Sequence, residues 1–330
     1  MMKKLGTSLT ALNTYKQNID SDMSNNVYSS ETHGNRISSE NPEDIFRNGS
    51  TTYYYSTKLF PANIRKEVTQ LYNFVRIADD YVDSVPQDTK GFLKFKEEYY
   101  RTVSGKKTEN KVIADFVSLS ERRQFKHEWV DAFLKSMEMD TEKSNYKNLE
   151  ELNTYLYGSA EVIGLMMNRV MNLDERADDS AQYLGKAMQF INFIRDIDED
   201  LDLKRTYFPI EDLEAFGLSG LTRGEARRKP EQFEAFVRSQ IRLYFMWQKR
   251  AEVGFQFIPK NMRIAVQTAS DMYMWTAKEI YKNPFIVYDL KIKPTWPKVI
   301  LNGLKNMLNV YNPLRRNRTS SNVAIENHSI

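Results

Sequence analysis

Cysteine is absent from the 330 residues, and histidine occurs only at His33, His127 and His328. Without cysteine there is no disulfide, thiolate metal site, sulfur nucleophile or iron–sulfur cluster. Three histidines, two of them in polar end segments, argue against a His-based zinc site. Glycine (13) and proline (10) are sparse, and neither the GxGxxG fingerprint nor the GxxxxGK phosphate loop occurs. An excess of one charge is missing as well. The 47 basic and 44 acidic residues leave a net +3, so no nucleic-acid partner is expected. No apolar run approaches the ~18–20 residues that cross a bilayer. The opening MMKKLGTSLTALN breaks its apolar positions with Ser, Thr and Asn and does not read as a signal peptide. These absences point to a cytoplasmic protein in which any metal is held by oxygen.

What is present is helical periodicity. Residues 1–44 are rich in Ser, Asn, Thr and Asp and read as a disordered extension. From Phe46 onward the pattern is helical almost throughout. Pro61 stands where a helix can begin, and Ile64, Val68, Leu71, Tyr72 and Val75 follow at helical spacing. Further helices are predicted over 91–101, 109–118, 127–138, 148–173, 178–203, 231–257 and 260–282. Breaks are expected at Ser84-Val85-Pro86, Ser104-Gly105, Gly217 to Gly220 and Asn283-Pro284. The expectation is an all-α, single-domain helical bundle with a central cavity over 45–290. A basic helix and tail follow over 291–330.

Two acidic segments carry the chemistry. One places Arg76 before Asp79, Asp80 and Asp83; the other places Arg195 before Asp196 and Asp200. Carboxylates at i and i+4 are neighbours on a helix and repel one another. A single such pair is usually a solvated face. Here both pairs sit in strongly apolar helices, where an unpaired charge is costly unless it faces a cavity or a cation. Tyr72, Arg76, Asp79 and Asp83 share one stripe, and Gln189, Asn192, Asp196 and Asp200 share another. Facing each other, the two stripes would form carboxylate walls suited to Mg²⁺ and, through it, a diphosphate. Arg76 and Arg195 would bind diphosphate oxygens.

At this point the residues resemble the squalene/phytoene synthase family. The resemblance rests on five ordered stretches covering about residues 46–290. They are Ser50-Thr51-Thr52-Tyr53 with Leu59-Phe60-Pro61; Leu71-Tyr72 through Arg76, Asp79, Asp80 and Asp83; and Tyr157-Gly158 to Gly164. The fourth runs from Leu184-Gly185 through Gln189, Asn192, Arg195 and Asp196 to Asp200, and the last is Arg205 with Tyr207-Phe208-Pro209. The resemblance implies an isoprenoid-synthase fold and head-to-head joining of two prenyl diphosphates through a cyclopropylcarbinyl diphosphate. It implies Mg²⁺, replaceable by Mn²⁺, at Asp79, Asp83, Asn192, Asp196 and Asp200, with Tyr72 and Arg76 completing the catalytic set. Substrate contacts carried over are Ser50, Thr51, Thr52, Tyr53, Tyr72, Arg76, Gln189, Arg195, Arg205 and Tyr273. Two departures stand out: Glu161 where the family usually has a small residue, and Thr52 in place of a second serine.

Within that family a phytoene synthase is expected, condensing two geranylgeranyl diphosphates in carotenoid biosynthesis. The modest size of Thr57 and Thr69, read as pocket-side, leans toward the longer substrate, and no NADPH is expected. Alternatives are a dehydrosqualene or squalene synthase acting on farnesyl diphosphate, a non-catalytic homologue serving as an assembly factor, and a head-to-tail prenyltransferase or terpene cyclase. From Lys291 to Arg318 there are seven basic residues and no acidic one. Interleaved with Trp296, Ile300, Leu301, Leu304 and Leu308, they read either as a capping helix followed by a solvated basic tail or as a helix able to lie on an anionic membrane surface.

Overall fold

The computed structural model describes residues 45–47 and 50–311, and among them every regular element is helical. The predicted extension over 1–44 and the tail cations Arg315, Arg316 and Arg318 lie outside the described residues. In chain order the helices are α1 (Thr51–Thr57), α2 (Ala62–Asp83), α3 (Thr89–Val103), α4 (Lys111–Arg123), α5 (His127–Glu142), α6 (Leu149–Leu156) and α7 (Val162–Val170). They continue with α8 (Asp178–Arg195), α9 (Ile197–Asp202), α10 (Ile210–Ala215), α11 (Arg223–Arg228), α12 (Pro230–Glu252), α13 (Lys260–Lys282) and α14 (Trp296–Tyr311). Among the described residues no helix is long and apolar enough to cross a membrane.

Local chemistry sets the ends. Ser50, Asp88, Asn110 and Asn148 each cap a helix by accepting a backbone N–H of its first turn, worth about 1 kcal/mol apiece. Gly105 and Gly217 take positive φ (89° and 71°) at two of the predicted breaks, where a side chain would be strained. On α2 the buried residues Ile64, Val68, Leu71, Phe74, Ile77, Ala78 and Val82 recur every three or four positions. They face the core of the first half, where Phe74 stacks on Phe116 at 3.7 Å.

Helix α8 is the axis of the bundle and packs on α7, α12 and α13. One buried core gathers around α2, α4 and α5, a second around α8, α12 and α13, and Tyr53 and Leu184 touch both. Between them lies a cavity of about 260 Å³.

Two predicted helices differ from expectation. The 148–173 stretch contains a π-helical turn, Tyr157–Glu161, between α6 and α7. The turn is pressed against its neighbours. A Cβ on Gly158 would lie 2.2 Å from the Ala132 carbonyl oxygen, and one on Gly185 would lie 2.3 Å from that of Ala160. The 178–203 stretch breaks at Asp196, whose φ of −101° and ψ of 18° are not helical. Its amide still bonds to the Asn192 carbonyl, and the Asp200 amide to the Asp196 carbonyl, each at 2.8 Å. The register therefore survives the kink, and Asp200 stays one turn beyond Asp196.

Candidate active site

The carboxylate walls come from the last turn and a half of α2 and from the α8–α9 junction. Each arginine lies on its own motif. Arg76 Nη1 is 3.2 Å from Asp79 Oδ2 and also pairs closely with Asp80, while Arg195 Nε donates to Asp196 Oδ1 at 2.7 Å. The walls face each other. Asp200 is pushed up to about 8, first by burial and then by the negative charges of Asp196 and of Asp83 on the opposite helix. Asp79 is raised by the same combination, burial and then Asp83, although its carboxyl remains open to the cleft on one side.

Negative charge is thus crowded beyond what the nearby arginines compensate, a condition that a divalent cation relieves. Asn192 Oδ1 is buried with no hydrogen-bond partner among the described residues, as an unused oxygen ligand would be. No group of three or more acidic or histidine side chains is already gathered at metal-binding spacing among those residues. The donor set fits Mg²⁺ in the form that magnesium prefers, with one or two carboxylates per ion and water and phosphate completing the shell.

Beneath the first wall, Arg205 and Tyr207 of the last ordered stretch join a polar relay with Asp140 and Tyr155, two residues the sequence did not single out. Arg205, only 5% exposed, places Nη1 2.7 Å from Asp83 Oδ1, donates to the Tyr207 hydroxyl at 3.3 Å and also bonds the Val82 carbonyl. Tyr207 donates in turn to Asp140 Oδ1 (2.9 Å), and Tyr155 donates to Asp140 Oδ2 (2.7 Å). Burial lifts Asp140 to about 6 against the lowering pull of Arg205 and both phenols. Arg205, expected among the substrate contacts, is thereby committed to fixing Asp83. Asp140 lies beyond the end of the predicted 127–138 helix, within the extension that the structure adds, and has no partner nearby in sequence, so no local signal marks it.

A second residue that sequence reasoning misplaced is Lys291. Expected on a membrane-facing stretch, it bends back over α8–α9, with Nζ 3.3 Å from Asp196 Oδ1 and paired closely with Glu199. Lys293 lies beside it, its ammonium destabilised by burial and by the charges of Lys291 and Arg195.

The cavity opens below the walls. At its polar end stand Tyr53, Tyr72, Gln189 and Asn192, with Tyr72 stacked on Phe46 at 4.0 Å. Tyr273 sits behind Tyr53, 5.7 Å from it between ring centres. Burial holds the Tyr53 and Tyr273 phenols above their usual range. Ser50 Oγ accepts the Tyr53 amide at 3.3 Å, and Thr52 is buried, so this segment fixes the tyrosine. The Thr51 side chain lies outside the described part of the structure. Thr57 lines the cavity, as expected of it. Thr69 is not among the lining residues; its hydroxyl bonds to the Arg65 carbonyl of the preceding turn at 2.9 Å. Glu161 pairs with Lys186 at 3.0 Å, both largely buried.

The cavity follows α8 from Asn192 through Met188, Leu184 and Ala181 to Ala177, roughly 22 Å at the helical rise. Below Gln189 its walls are mostly aliphatic.

Comparison with known proteins agrees with this construction. The squalene/phytoene synthase family model matches residues 46–299. A phytoene synthase of Arthrospira platensis is 27% identical over 268 residues, 76% of this chain and 86% of its own. A 15-cis-phytoene synthase of a Paracoccus species is 30% identical over 237 residues, 68% of this chain and 76% of its own. In three dimensions the chain resembles a dehydrosqualene synthase crystallised with a ligand. That match has a TM-score of 0.73 at 20% identity and covers 82% of this chain and 95% of the other. With the ordered motifs, the facing aspartate walls and a family match over most of its length, the chain belongs to the squalene/phytoene synthase family.

Proposed function

We propose that the protein is a Mg²⁺-dependent phytoene synthase that joins two geranylgeranyl diphosphates head-to-head. The observation that carries the choice of substrate is the length of the cavity. Carbon–carbon bonds of about 1.5 Å advance an extended chain by roughly 1.25 Å each, giving ~19 Å for a geranylgeranyl tail and ~14 Å for a farnesyl tail. A lined path of roughly 22 Å houses the first and leaves the second loosely held at its far end.

Asp79, Asp83, Asp196, Asp200 and the side-chain oxygen Oδ1 of Asn192 would hold the metal. When bound, Mg²⁺ supplies positive charge that stabilises the departing diphosphate. Arg76 and Arg195 then exchange a carboxylate partner for a diphosphate oxygen. As the C1–O bond of one substrate breaks, its electron pair leaves with the diphosphate. The allylic cation is held against the ring faces of Tyr53 and Tyr72. The C2–C3 double bond of the second substrate attacks that C1; loss of one proton closes the cyclopropane of a cyclopropylcarbinyl diphosphate. A second ionisation, rearrangement and proton loss give the C40 hydrocarbon without a reductant. The aliphatic lining keeps water from the cations throughout.

The test is a product assay on the purified protein with Mg²⁺ and either the C15 or the C20 diphosphate, with and without NADPH. Phytoene from the C20 substrate, independent of NADPH, is expected; Asp79→Asn and Asp196→Asn should abolish it while leaving the helical circular dichroism intact. A C30 hydrocarbon from the C15 substrate alone would replace this reading with the dehydrosqualene or squalene alternative. No hydrocarbon from either substrate would refute catalysis.

A further inference from the structure

Glutamate at 161 departs from the small residue usual in the family, and the structure gives it a partner. Glu161 is the last residue of the π turn Tyr157–Glu161. Its carboxylate lies 3.0 Å from Lys186 Nζ on α8, and the two side chains are only 15% and 12% exposed. The same ammonium stands 4.8 Å from the centre of the Trp247 ring on α12, and Trp247 in turn meets Phe190 edge-on at 4.9 Å. Lys186 thus ties the turn, α8 and α12 together. Taking two charges out of water is costly, and an apolar pair of similar volume is often as stable. Stability alone therefore does not account for an ion pair in this place.

What the pair touches is a turn with one residue more than an α-helix needs. The Val162 amide bonds to the Tyr157 carbonyl, five residues back, where an α-helix reaches back four. Such an excess residue can sit at other points of the same helix, and moving it past a residue turns that residue's side chain by about 100°. Both sides of the turn carry site residues. Before it, Tyr155 donates to Asp140, one end of the relay that reaches Asp83, and the Tyr155 carbonyl accepts Ser136 Oγ at 3.0 Å. Within it and after it, Ser159, Ala160, Ile163 and Gly164 line the cavity. The place of the extra residue sets the angle between these two faces. The close crossings at Gly158 and Gly185 permit the backbones to approach but do not fix that place, whereas an ion pair specifies which atoms meet.

We propose that Glu161 and Lys186 are positioning residues for the substrate tail, pinning the π turn to α8 so that Ser159 and Ala160 stay in the cavity wall beside Gly185. What the wall contacts rests on the prenyl diphosphate reading; the pinning does not depend on it. Breaking the pair releases the wall on the cavity side and leaves the relay on the other side, where Ser136 still holds Tyr155. The tail should then be held less well while the diphosphate end is unchanged.

Variants of the full chain separate positioning from support. Glu161→Gln leaves a buried ammonium unpaired and should melt lower. The apolar double variant Glu161→Leu/Lys186→Met should melt like the unaltered chain, yet its amides from Tyr157 to Val162 should exchange with deuterium faster. In that variant KM for the C20 diphosphate should rise about tenfold, with kcat changed less than about threefold. Lys186→Arg, which keeps the charge and the contact with Trp247, should keep the melting temperature, the exchange pattern and KM. Binding of inorganic diphosphate in the presence of Mn²⁺, measured by calorimetry, should be unchanged throughout. A double variant with normal exchange and normal KM makes the pair a passive contact and overturns the proposal. One that melts well below the unaltered chain assigns the pair to stability and overturns it too, as does weakened diphosphate binding, which would place the effect at the metal end. A chain that makes no hydrocarbon refutes the enzyme reading; faster exchange in its double variant still upholds the pinned turn, and unchanged exchange still overturns it.

Discussion

Replacing Ala181 by leucine should turn cavity length into substrate choice. Ala181 lines the cavity and lies about 16 Å along α8 from Asn192 at the helical rise. That is beyond the end of a farnesyl tail and short of the end of a geranylgeranyl tail. A leucine there fills the space of the last isoprene unit of the longer substrate. Refusing burial to that unit's five carbons, at about 0.8 kcal/mol each, forfeits about 4 kcal/mol. At 1.4 kcal/mol per tenfold this approaches a thousandfold; with some accommodation of the tail, kcat/KM for the C20 diphosphate should fall roughly 100- to 1,000-fold. For the C15 diphosphate it should change less than about threefold on the same arithmetic, because no carbon is displaced. The assay is steady-state kcat/KM for each substrate by product chromatography, with thermal denaturation to confirm folding. If the folded variant loses no more activity on C20 than on C15, the tail does not run along α8 and the length argument fails.

Three further outcomes follow from other parts of the fold. Asp140→Ala leaves the Tyr155 and Tyr207 hydroxyls without acceptors, at about 1–3 kcal/mol for each buried group; urea unfolding should show that loss, and Asp140→Asn, which keeps one acceptor oxygen, should lose less. Gly185→Ala forces a methyl group against the Ala160 carbonyl and should cost about 1–3 kcal/mol, read as a melting temperature lowered by several degrees. The Glu225 carboxyl is held down at about 2 by hydrogen bonds from Arg228, Ser219 and Lys229. Its contribution is full above the unfolded value of about 4.3 and is lost as pH falls toward 2; Glu225→Gln should flatten the stability–pH curve in that window, and an unchanged curve would contradict the assignment.

How far the sequence reached can be judged residue by residue. The stripe on α2 was legible because its apolar positions repeat at helical spacing and its polar ones fall together. The facing of the two walls was legible because carboxylates in apolar helices have few other destinations. Three features were not legible. The kink at Asp196 leaves the hydrogen-bond register unbroken, so no glycine or proline announces it. The π turn at 157–161 shifts backbone bonds without altering the apolar pattern. Asp140 and Lys291 reach the site from remote segments, and only packing brings them to Tyr207 and Asp196. The pocket role expected of Thr69 failed for a local reason, its hydroxyl being taken by the carbonyl of its own helix.

The close crossings at Gly158, Gly164 and Gly185 have one more consequence. At each of them a missing side chain lets one backbone rest on the carbonyl of another, so the spacing of α5, α7 and α8 is set by main chain. The side chains of Thr57, Ala181 and Met188 hang inside that frame and do not support it, although the Ala181 carbonyl is itself part of the Gly164 crossing. The frame and the measuring surface can then evolve separately: drift at the lining changes which molecule fits, while drift at the crossings is stopped by steric exclusion. A family built in this way can diversify its products many times over while keeping one architecture.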